Sequence, residues 1–401
     1  MNYKITLIPL ERFFFGGENV FGGENGQDER RRSYLVKSNI LPQQTTLLGM
    51  LREQLLTQNG LLLTPDHTEV QLKQAEALVG SSGFSPQKGT DPYGLIQALS
   101  PVVITDESGQ IWQPSPLDDR EMHDKEEQLK PLTFTIDSKS GKPVLANLNS
   151  KEDMGLLFGT ASGEQKLLSD FFQEHDQVGI TMTNRLKHRG LPKEERKEAF
   201  YRQTFRGNGA SAYQGAILEQ EAPALANNHS THRYSFTFWV TMADDMQQFK
   251  FLDALVYMGG ERSAFQMRVT PETEVPSLKD YLPKVEYRFN HLSTDLPKPY
   301  KRIVLLSDTY ADWSLIRKHC AFTVTQVTPF RYFTTLLGKT NRFYDFKKDD
   351  LTTRQQSGLH TLLQRGSVLY VEGQDAEKVI SDHLDGQKAF QNLGYNYFQT
   401  I

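Results

Sequence analysis

The glycines between residues 13 and 33 place the strongest constraint on how this chain begins to fold. The stretch reads FFFGGENVFGGENGQDERRRS, in which five glycines precede three consecutive arginines: Arg30, Arg31 and Arg32. Glycine at this density disfavours a continuous helix or strand and predicts a long loop. Alternating apolar residues over 3–8 predict a strand ahead of it. Leucines at helical spacing predict a helix from about Gln44 to Leu56. The loop therefore joins a strand to a helix.

The predicted helix contains a glycine, a residue that destabilises a helix interior. Gly49 lies in its middle, where glycine costs about 1 kcal/mol relative to alanine. Close approach of another backbone or of a ligand is the usual reason for such a glycine. Arg52 follows three residues later, on the neighbouring helix surface. The pair predicts a flat surface beside a cation, with a plain helix–sheet contact and a solvated arginine as the alternative.

Charge is unevenly distributed along the 401 residues. The formal net charge is −4, which excludes a histone-like polycation but permits a local basic surface. Residues 184–209 carry eight Lys and Arg side chains against three Glu, a local net charge of +5. Phe200, Tyr201 and Phe205 interleave with them, and basic residues mixed with aromatics suit contact with RNA phosphates and bases. Arg202 and Arg206 are our candidates, although a solvated loop explains the same composition.

The second half repeats the order of elements seen in the first. We expect a strand over 234–241, a helix over about 249–256 ending at Gly259 and Gly260, and a strand over about 264–269. A short helix is also expected over 165–175. The predicted fold is α+β, with two ferredoxin-like (RRM-like) domains over 1–225 and 226–401, glycine-rich loops and insertions over 114–150 and 270–300. The length fits about two or three domains, and 38% apolar residues with 29 glycines allow a packed core.

Catalytic and metal-binding motifs are absent from the sequence. Cys320 is the single cysteine, so no internal disulfide or cysteine-based zinc site is expected, and the compartment is expected to be the cytoplasm. His229 and His232 lie in a polar stretch without an acidic ligand pattern. Asp118 and Asp119 are read as a solvated turn. We expect no catalytic residue, no metal and no cofactor, and the lack of a long apolar run implies no membrane partner.

Four stretches, taken in order, resemble the RAMP superfamily of CRISPR-associated proteins. The first is IPLERFFFGGE followed by a P-x-x-T-x-x-G-x-x-R helix, here Pro42, Thr45 or Thr46, Gly49 and Arg52. The others are PSPLDD, MGGERSAFQMRV and the pair RGSVLYVEG and NLGYNYF. The sequences of these stretches are most similar to those of the Cmr-module subunit of type III-B effectors. This sequence departs from the family's pattern at Ser263, where that family often has a second arginine.

The resemblance implies a subunit without nuclease activity that serves in antiviral defence. It would bind the repeat-derived 5′ tag of the CRISPR RNA and bridge the large Cas-ten-type subunit to the backbone RAMP subunits, contacting target RNA only indirectly. The expected RNA-binding residues are Gly16, Gly17, Arg30, Arg31, Arg32, Gly49, Arg52, Arg202, Arg206, Gly259, Gly260 and Arg262.

Three alternatives stay open. The chain could be the equivalent subunit of a type III-A or III-D complex. It could be a RAMP endoribonuclease that processes precursor RNA, with Tyr34, His188 or Tyr201 as general acid or base. It could also be a protein scaffold whose contact with RNA is incidental.

Overall fold

A computed structural model gives the fold of part of the chain. It describes residues 1–17, 19–22, 33–64, 67–86, 93–119, 122–123, 129–130, 134–136, 143–145, 157–179, 201–208, 233–259, 261–277, 300–335 and 354–401. The helices are α1 Gln44–Gln58, α2 Glu69–Val79, α3 Trp313–His319, α4 Gly373–Gly386 and α5 Lys388–Gln391. The strands are β1 Asn2–Pro9, β2 Asn19–Gly22, β3 Ser33–Lys37, β4 Ile96–Leu99, β5 Val103–Thr105, β6 Ile111–Pro114, β7 Met122–His123, β8 Leu129–Lys130, β9 Phe134–Ile136, β10 Pro143–Leu145, β11 Leu157–Gly159, β12 Gln165–Leu167, β13 Gln173–Gly179, β14 Tyr201–Gly207, β15 Ser235–Met242, β16 Ala254–Met258, β17 Ser263–Glu272, β18 Tyr300–Leu305, β19 Cys320–Val324, β20 Val327–Phe330, β21 Phe333–Thr335, β22 Arg354–Gln356, β23 His360–Leu363, β24 Val368–Glu372 and β25 Phe398–Thr400.

The main sheet pairs the first strand of the chain with strands from residues 235–272. Its order is β12-β11-β6-β5-β15-β1-β17-β16, and β4 also pairs with β15. β1 is antiparallel to both of its neighbours, so Ile5 lies opposite Phe238 on one side and Val269 on the other. Because side chains alternate along a strand, Ile5 and Leu7 are fully buried, and the residues between them face the other side.

Helix α1 covers the buried face of this sheet. Its four predicted core leucines all have at most 2% of their surface exposed, as the helical spacing predicted: Leu47, Leu48, Leu51 and Leu55. At its C-terminal end the Gln58 side chain exchanges two hydrogen bonds with the backbone of Leu252, at 2.9 and 2.8 Å. The helix therefore runs antiparallel to β16, and its N-terminal end lies at the end of the sheet that contains Gly259.

Two further sheets flank the main one. The first has the order β13-β14-β3-β2, and its β14–β3 pair is parallel. The second has the order β19-β24-β18-β25 and is covered by α3 and α4 around a core that includes Ile303, Leu369 and Ile380. The mixed α/β composition and largely antiparallel sheets agree with the predicted α+β class. Within the described residues, no helix is long and apolar enough to span a bilayer.

Two predicted helices are wrong. Residues 165–175 form β12, a 3-10 turn and the start of β13, although Leu168, Phe171 and Phe172 are buried. Residues 249–256 lead into β16 rather than a helix. Along β16, Leu255 and Tyr257 are about half exposed while Val256 and Met258 are buried. That period of two is the pattern of a strand, and it overrides the helical spacing of the residues ahead of it.

The predicted domain boundary at 225/226 lies outside the described residues. The main sheet nevertheless contains strands from both sides of this boundary, because β1 pairs with β15 and β17. The division into two ferredoxin-like domains stays a prediction. Other predicted segments also fall outside the described residues: most of the insertions over 114–150 and 270–300, and the basic segment over 180–200.

A buried ion pair joins residues from the two sides of this boundary. One of its members is Asp118, which was predicted to lie in a solvated turn. The carboxylate of Asp118 accepts hydrogen bonds from Arg302 of β18, from Nε at 2.8 Å and from Nη2 at 2.5 Å. The hydroxyl of Tyr370 on β24 donates to the same carboxylate. Asp118 is 1% exposed and Arg302 is 3% exposed. The prediction is wrong for Asp118, because a strand distant in sequence supplies its cation.

Candidate functional site

Two glycine turns lie side by side at one end of the main sheet. The first contains Gly16, at φ +74°, and the second begins at Gly259, at φ +76°, between β16 and β17. A Cβ atom on Gly259 would come closer than 3.0 Å to the carbonyl oxygen of Phe14, which real side chains do not tolerate. The amide of Phe14 donates to the Ser263 hydroxyl at 2.9 Å. The turns are therefore in direct contact.

A third segment packs against the first turn. A Cβ atom on Gly17 would overlap the carbonyl oxygen of Lys37. The amide of Asn39 donates to the Gly16 carbonyl at 2.6 Å, and the amide of Phe15 donates to the Ser38 hydroxyl at 3.0 Å. We call this assembly the glycine-turn site. It comprises Gly16, Gly17, the segment 37–39, and the described residues of the 259–262 turn.

Phenylalanine side chains hold the first turn at the surface. Phe13 is fully buried, and its ring meets those of Phe172 and Phe236 edge to face at 5.0 and 5.4 Å. Phe14 is 7% exposed. Two rings of this triplet are therefore buried. Burial fixes the chain immediately before Gly16, whereas Gly17 and Gly259 stay exposed. The site therefore presents backbone at close range, as contact with a phosphate requires.

Arg262 is an exposed cation of the second turn. Its backbone is in the left-handed region at φ +53°, and its guanidinium lies 5.3 Å from the ring centre of Tyr257. The neighbouring Glu261 accepts a long hydrogen bond from Gln203 at 3.4 Å. Arg262 makes no ion pair within the described part of the chain. Its charge is thus directed outward beside the two turns, where an anion could approach it.

Arg206 has a different role from the exposed contact expected of it. It is 7% exposed, donates from Nε to the Ser38 carbonyl at 3.2 Å, and pairs through Nη2 with Glu174 at 2.7 Å. Burial lowers the pKa of this guanidinium, and Glu174 opposes the shift. Two backbone hydrogen bonds also join Arg206 to Phe13. Arg206 therefore positions the segments of the site. Its neighbour Arg202 lies on β14, and its side chain is outside the described residues.

The side chain of Arg52 is hydrogen-bonded to backbone carbonyls within the chain. Its Nε donates to the carbonyl of Val79 at 3.0 Å, and its Nη2 donates to that of Gly80 at 3.1 Å. These carbonyls end α2, where the last turn lacks intrahelical partners. Burial lowers the pKa of Arg52 to about 10, with Tyr93 opposing the shift. Gly49 is exposed, and no described atom would contact a Cβ placed on it.

Replacing Arg52 by alanine is expected to lower the free energy of unfolding by about 2 kcal/mol, because two carbonyls lose a charged donor. Urea denaturation measures this. Arg317→Ala is the control, since that side chain is exposed on α3 and its loss is expected to cost less than about 0.5 kcal/mol. An unchanged midpoint would contradict the capping role. If Arg52 also contacts phosphate, the variant flattens the salt dependence of guide-RNA binding by about one unit.

Several candidates remain outside this geometry. Arg30, Arg31, Arg32 and Gly260 lie outside the described residues, as do His188, His229 and His232. Tyr34 and Tyr201 are register partners on parallel strands, but their side chains are not described. Among the residues that the structure describes, no group of three or more metal ligands assembles. Sequence reasoning missed the role of the Ser38 and Ser263 hydroxyls, which join the segments of the site.

Comparison with known proteins places the chain in a family. The family model described as CRISPR-associated protein (Cas_Cmr3) matches residues 5–401. No curated protein matches. Two solved structures share 12% identity with the chain. One, with a TM-score of 0.46, is the type III-B Cmr-beta bound to cognate target RNA and AMPPnP, and it matches over 99% of this chain and 96% of that chain. The other, with a TM-score of 0.43, is Cmr-beta bound to cognate target RNA, and it matches over 100% and 96%. Since the family model spans nearly the whole sequence, this chain belongs to the Cas_Cmr3 family of CRISPR-associated proteins.

Proposed function

We propose that this chain is the subunit of a type III-B CRISPR effector complex that binds the 5′ repeat-derived tag of the CRISPR RNA. One observation carries the proposal: the glycine turn at residues 16–17 and the turn that begins at Gly259 lie in contact, beside the exposed Arg262. These turns come from distant parts of the sequence, and each was a candidate from the sequence alone.

The chemistry of the site suits the end of a single-stranded RNA. Exposed glycine backbone at Gly17 and Gly259 allows a phosphate to approach main-chain atoms without meeting a side chain. Arg262 adds a positive charge whose attraction for phosphate depends on salt. Two other cations near the turns are paired with Glu174, Arg206 at 2.7 Å and Lys37 at 4.0 Å. Weak binding by the isolated chain follows, with neighbouring subunits sharing the RNA.

Membership of the Cas_Cmr3 family supports the rest of the proposal. We infer that the chain has no nuclease activity, works in the cytoplasm, and bridges the large Cas-ten-type subunit to the backbone RAMP subunits of the complex. We also propose that the chain consists of two ferredoxin-like halves. Incubating the purified protein with repeat RNA tests the first point. Specific cleavage, abolished by Tyr34→Phe or Tyr201→Phe, would replace the proposal with the endoribonuclease alternative.

The direct test uses Arg262→Ala in the assembled complex. Loss of one phosphate contact is expected to weaken guide-RNA binding about three- to tenfold and to flatten its salt dependence by about one unit. Filter binding at several salt concentrations measures both quantities. Arg317→Ala, an exposed arginine on α3, is the matched control and is expected to bind as the unaltered protein does.

A second measurement locates the RNA. Guide RNA carrying a photoreactive base at each tag position is crosslinked inside the complex, and the attached peptides are identified. Crosslinks to peptides that contain residues 14–17 or 257–262 support the proposal. Crosslinks from the tag that reach only other subunits would overturn it and favour the scaffold alternative.

A further inference from the structure

An exposed aromatic side chain precedes the second glycine turn. Tyr257 lies on β16, two residues before Gly259, and 46% of its surface is exposed. Because side chains alternate along a strand, Val256 and Met258 are buried on one face of the sheet while Tyr257 lies on the other. The ring therefore adds little to the core, and much of its surface is accessible to a ligand.

The guanidinium of Arg262 lies over this ring, 5.3 Å from its centre. Arg262 follows Gly259 by three residues, and the turn brings its side chain back to the strand that leads into the turn. A cation over the face of an aromatic ring is attracted by the ring. Both side chains are exposed, so the ring stays accessible with Arg262 in place.

The residue across the sheet from Tyr257 is small. Tyr257 is the register partner of Ala264 on β17, and an alanine methyl group is too short to cover a tyrosine ring. Within the part of the chain that the structure describes, β16 is the edge strand on this side of the main sheet, with β17 as its neighbour. The ring therefore has open space beside it at the edge of the sheet.

The ring is close to the glycine-turn site. Two residues of extended chain span about 7 Å, which is about the separation of Tyr257 from Gly259. Gly259 in turn lies against the carbonyl of Phe14 in the first turn. Arg262 belongs to the second turn and also contacts the ring. A nucleotide whose phosphate lies at the turns therefore has its base within reach of the ring.

The charge beside the ring favours RNA as its ligand. Single-stranded RNA is recognised through bases that stack on aromatic side chains and on arginine guanidinium planes, and Tyr257 and Arg262 supply one of each. The alternative is apolar contact with a neighbouring protein, for which Leu252 and Leu255 are 61% and 52% exposed. Those leucines precede the ring in the chain and lie farther from the glycine turns and from Arg262.

We propose that Tyr257 and Arg262 form a stacking platform for one base of the RNA strand whose phosphates contact the glycine-turn site. The ring of Tyr257 supports the face of the base, and Arg262 lies between the base and the phosphate. Every base has a π-face, so the platform fixes the position of the strand and tolerates any base. The inference rests on the proposed function, because it requires the tag at the glycine turns. It assigns a role to Tyr257, which the sequence analysis did not single out.

The test uses guide RNAs that carry one abasic tag position at a time in the assembled complex, and filter binding measures the affinity of each. With the unaltered protein, removal of the stacked base is expected to weaken binding about tenfold. In Tyr257→Leu the intact guide is expected to bind about tenfold more weakly, because leucine keeps apolar surface but offers no ring. That same abasic position then costs less than about twofold.

Two kinds of control accompany this variant. Tyr257→Phe and Tyr257→Trp keep a ring, and both are expected to bind the intact guide within about twofold of the unaltered protein. Leu255→Ala changes a residue of similar exposure on the same face of β16, and it is expected to bind as the unaltered protein does.

Salt dependence separates stacking from a role in positioning Arg262. Loss of a stacked base leaves the salt dependence of binding unchanged, whereas displacement of Arg262 from a phosphate flattens it by about one unit. A flattened dependence in Tyr257→Leu, with the abasic pattern intact, would make Tyr257 a positioning residue and overturn the platform.

The remaining outcomes separate this inference from the proposed function. If no tag position is sensitive to base removal, or if Tyr257→Leu retains the full abasic pattern, the inference is overturned. Equal losses in Tyr257→Leu and Leu255→Ala, with loss of a neighbouring subunit from the purified complex, would show that this edge binds protein instead. In each of these cases the proposed function still stands if crosslinks from the tag reach residues 14–17. It fails by itself if those crosslinks reach only other subunits.

Discussion

Replacing Gly259 by alanine is expected to lower the free energy of unfolding by about 3 kcal/mol and to weaken guide-RNA binding. Two costs add: a non-glycine residue at positive φ costs about 1–2 kcal/mol, and overpacking costs about 1–3 kcal/mol. Here the φ is +76° and the atom in conflict is the Phe14 carbonyl oxygen. Because that atom belongs to the backbone of the other turn, relief of the clash must separate the two turns. Urea denaturation and filter binding of the assembled complex measure the two effects.

Gly109→Ala is the matched control for this experiment. Gly109 has φ +82°, and no described atom lies within 4 Å of a Cβ placed on it. It lies in the turn between β5 and β6, so its substitution is expected to cost about 1 kcal/mol through conformation alone and to leave RNA binding unchanged. Equal losses in the two variants would show that contact between the glycine turns contributes nothing.

Replacing Asp118 by alanine is expected to cost about 3–5 kcal/mol, because it leaves the buried Arg302 without its carboxylate. The variant also removes the acceptor of the Tyr370 hydroxyl. Since Asp118 follows β6 of the main sheet and Arg302 belongs to β18, the loss is expected to loosen the contact between the main sheet and the C-terminal sheet. Urea denaturation measures the stability, and limited proteolysis locates the loosened segment.

Glu69→Ala provides the comparison for Asp118→Ala. Glu69 pairs with Lys73 at 3.1 Å across one turn of α2, and both side chains are at least 72% exposed. Exposed pairs of this kind contribute about 0.3–0.5 kcal/mol. A cost for Asp118→Ala as small as that for Glu69→Ala would contradict the role of the buried pair.

Much of the main sheet could be predicted from local pattern. Strand β1, helix α1 and strand β17 follow from alternation or helical spacing, because each buries one face and the residues of that face recur at a fixed interval. The glycine turns of the site were also recognisable, since Gly16, Gly17 and Gly259 lie in glycine pairs next to predicted elements. Their contact in space depends on the β1–β17 pairing, which no local pattern records.

The errors have a common physical origin. The 249–256 segment has apolar residues at helical spacing, but its final residues pair with β17, and pairing in the sheet decides their conformation. Asp118 is polar and follows prolines, so sequence favours a solvated turn, yet a distant arginine makes its burial possible. Arg52 illustrates the same limit: the partners of its guanidinium are carbonyls of a helix that the sequence analysis did not predict.

The position of β1 governs how the protein can fold during synthesis. Both neighbours of this first strand come from residues 235–272, so its backbone has no native pairing partner until most of the chain has left the ribosome. At elongation speeds of about 5–20 residues per second, that delay is roughly 15 to 50 s. A nascent chain with an unpaired strand for so long needs protection from aggregation. Expression of residues 1–225 alone would therefore produce β1 without its neighbours β15 and β17.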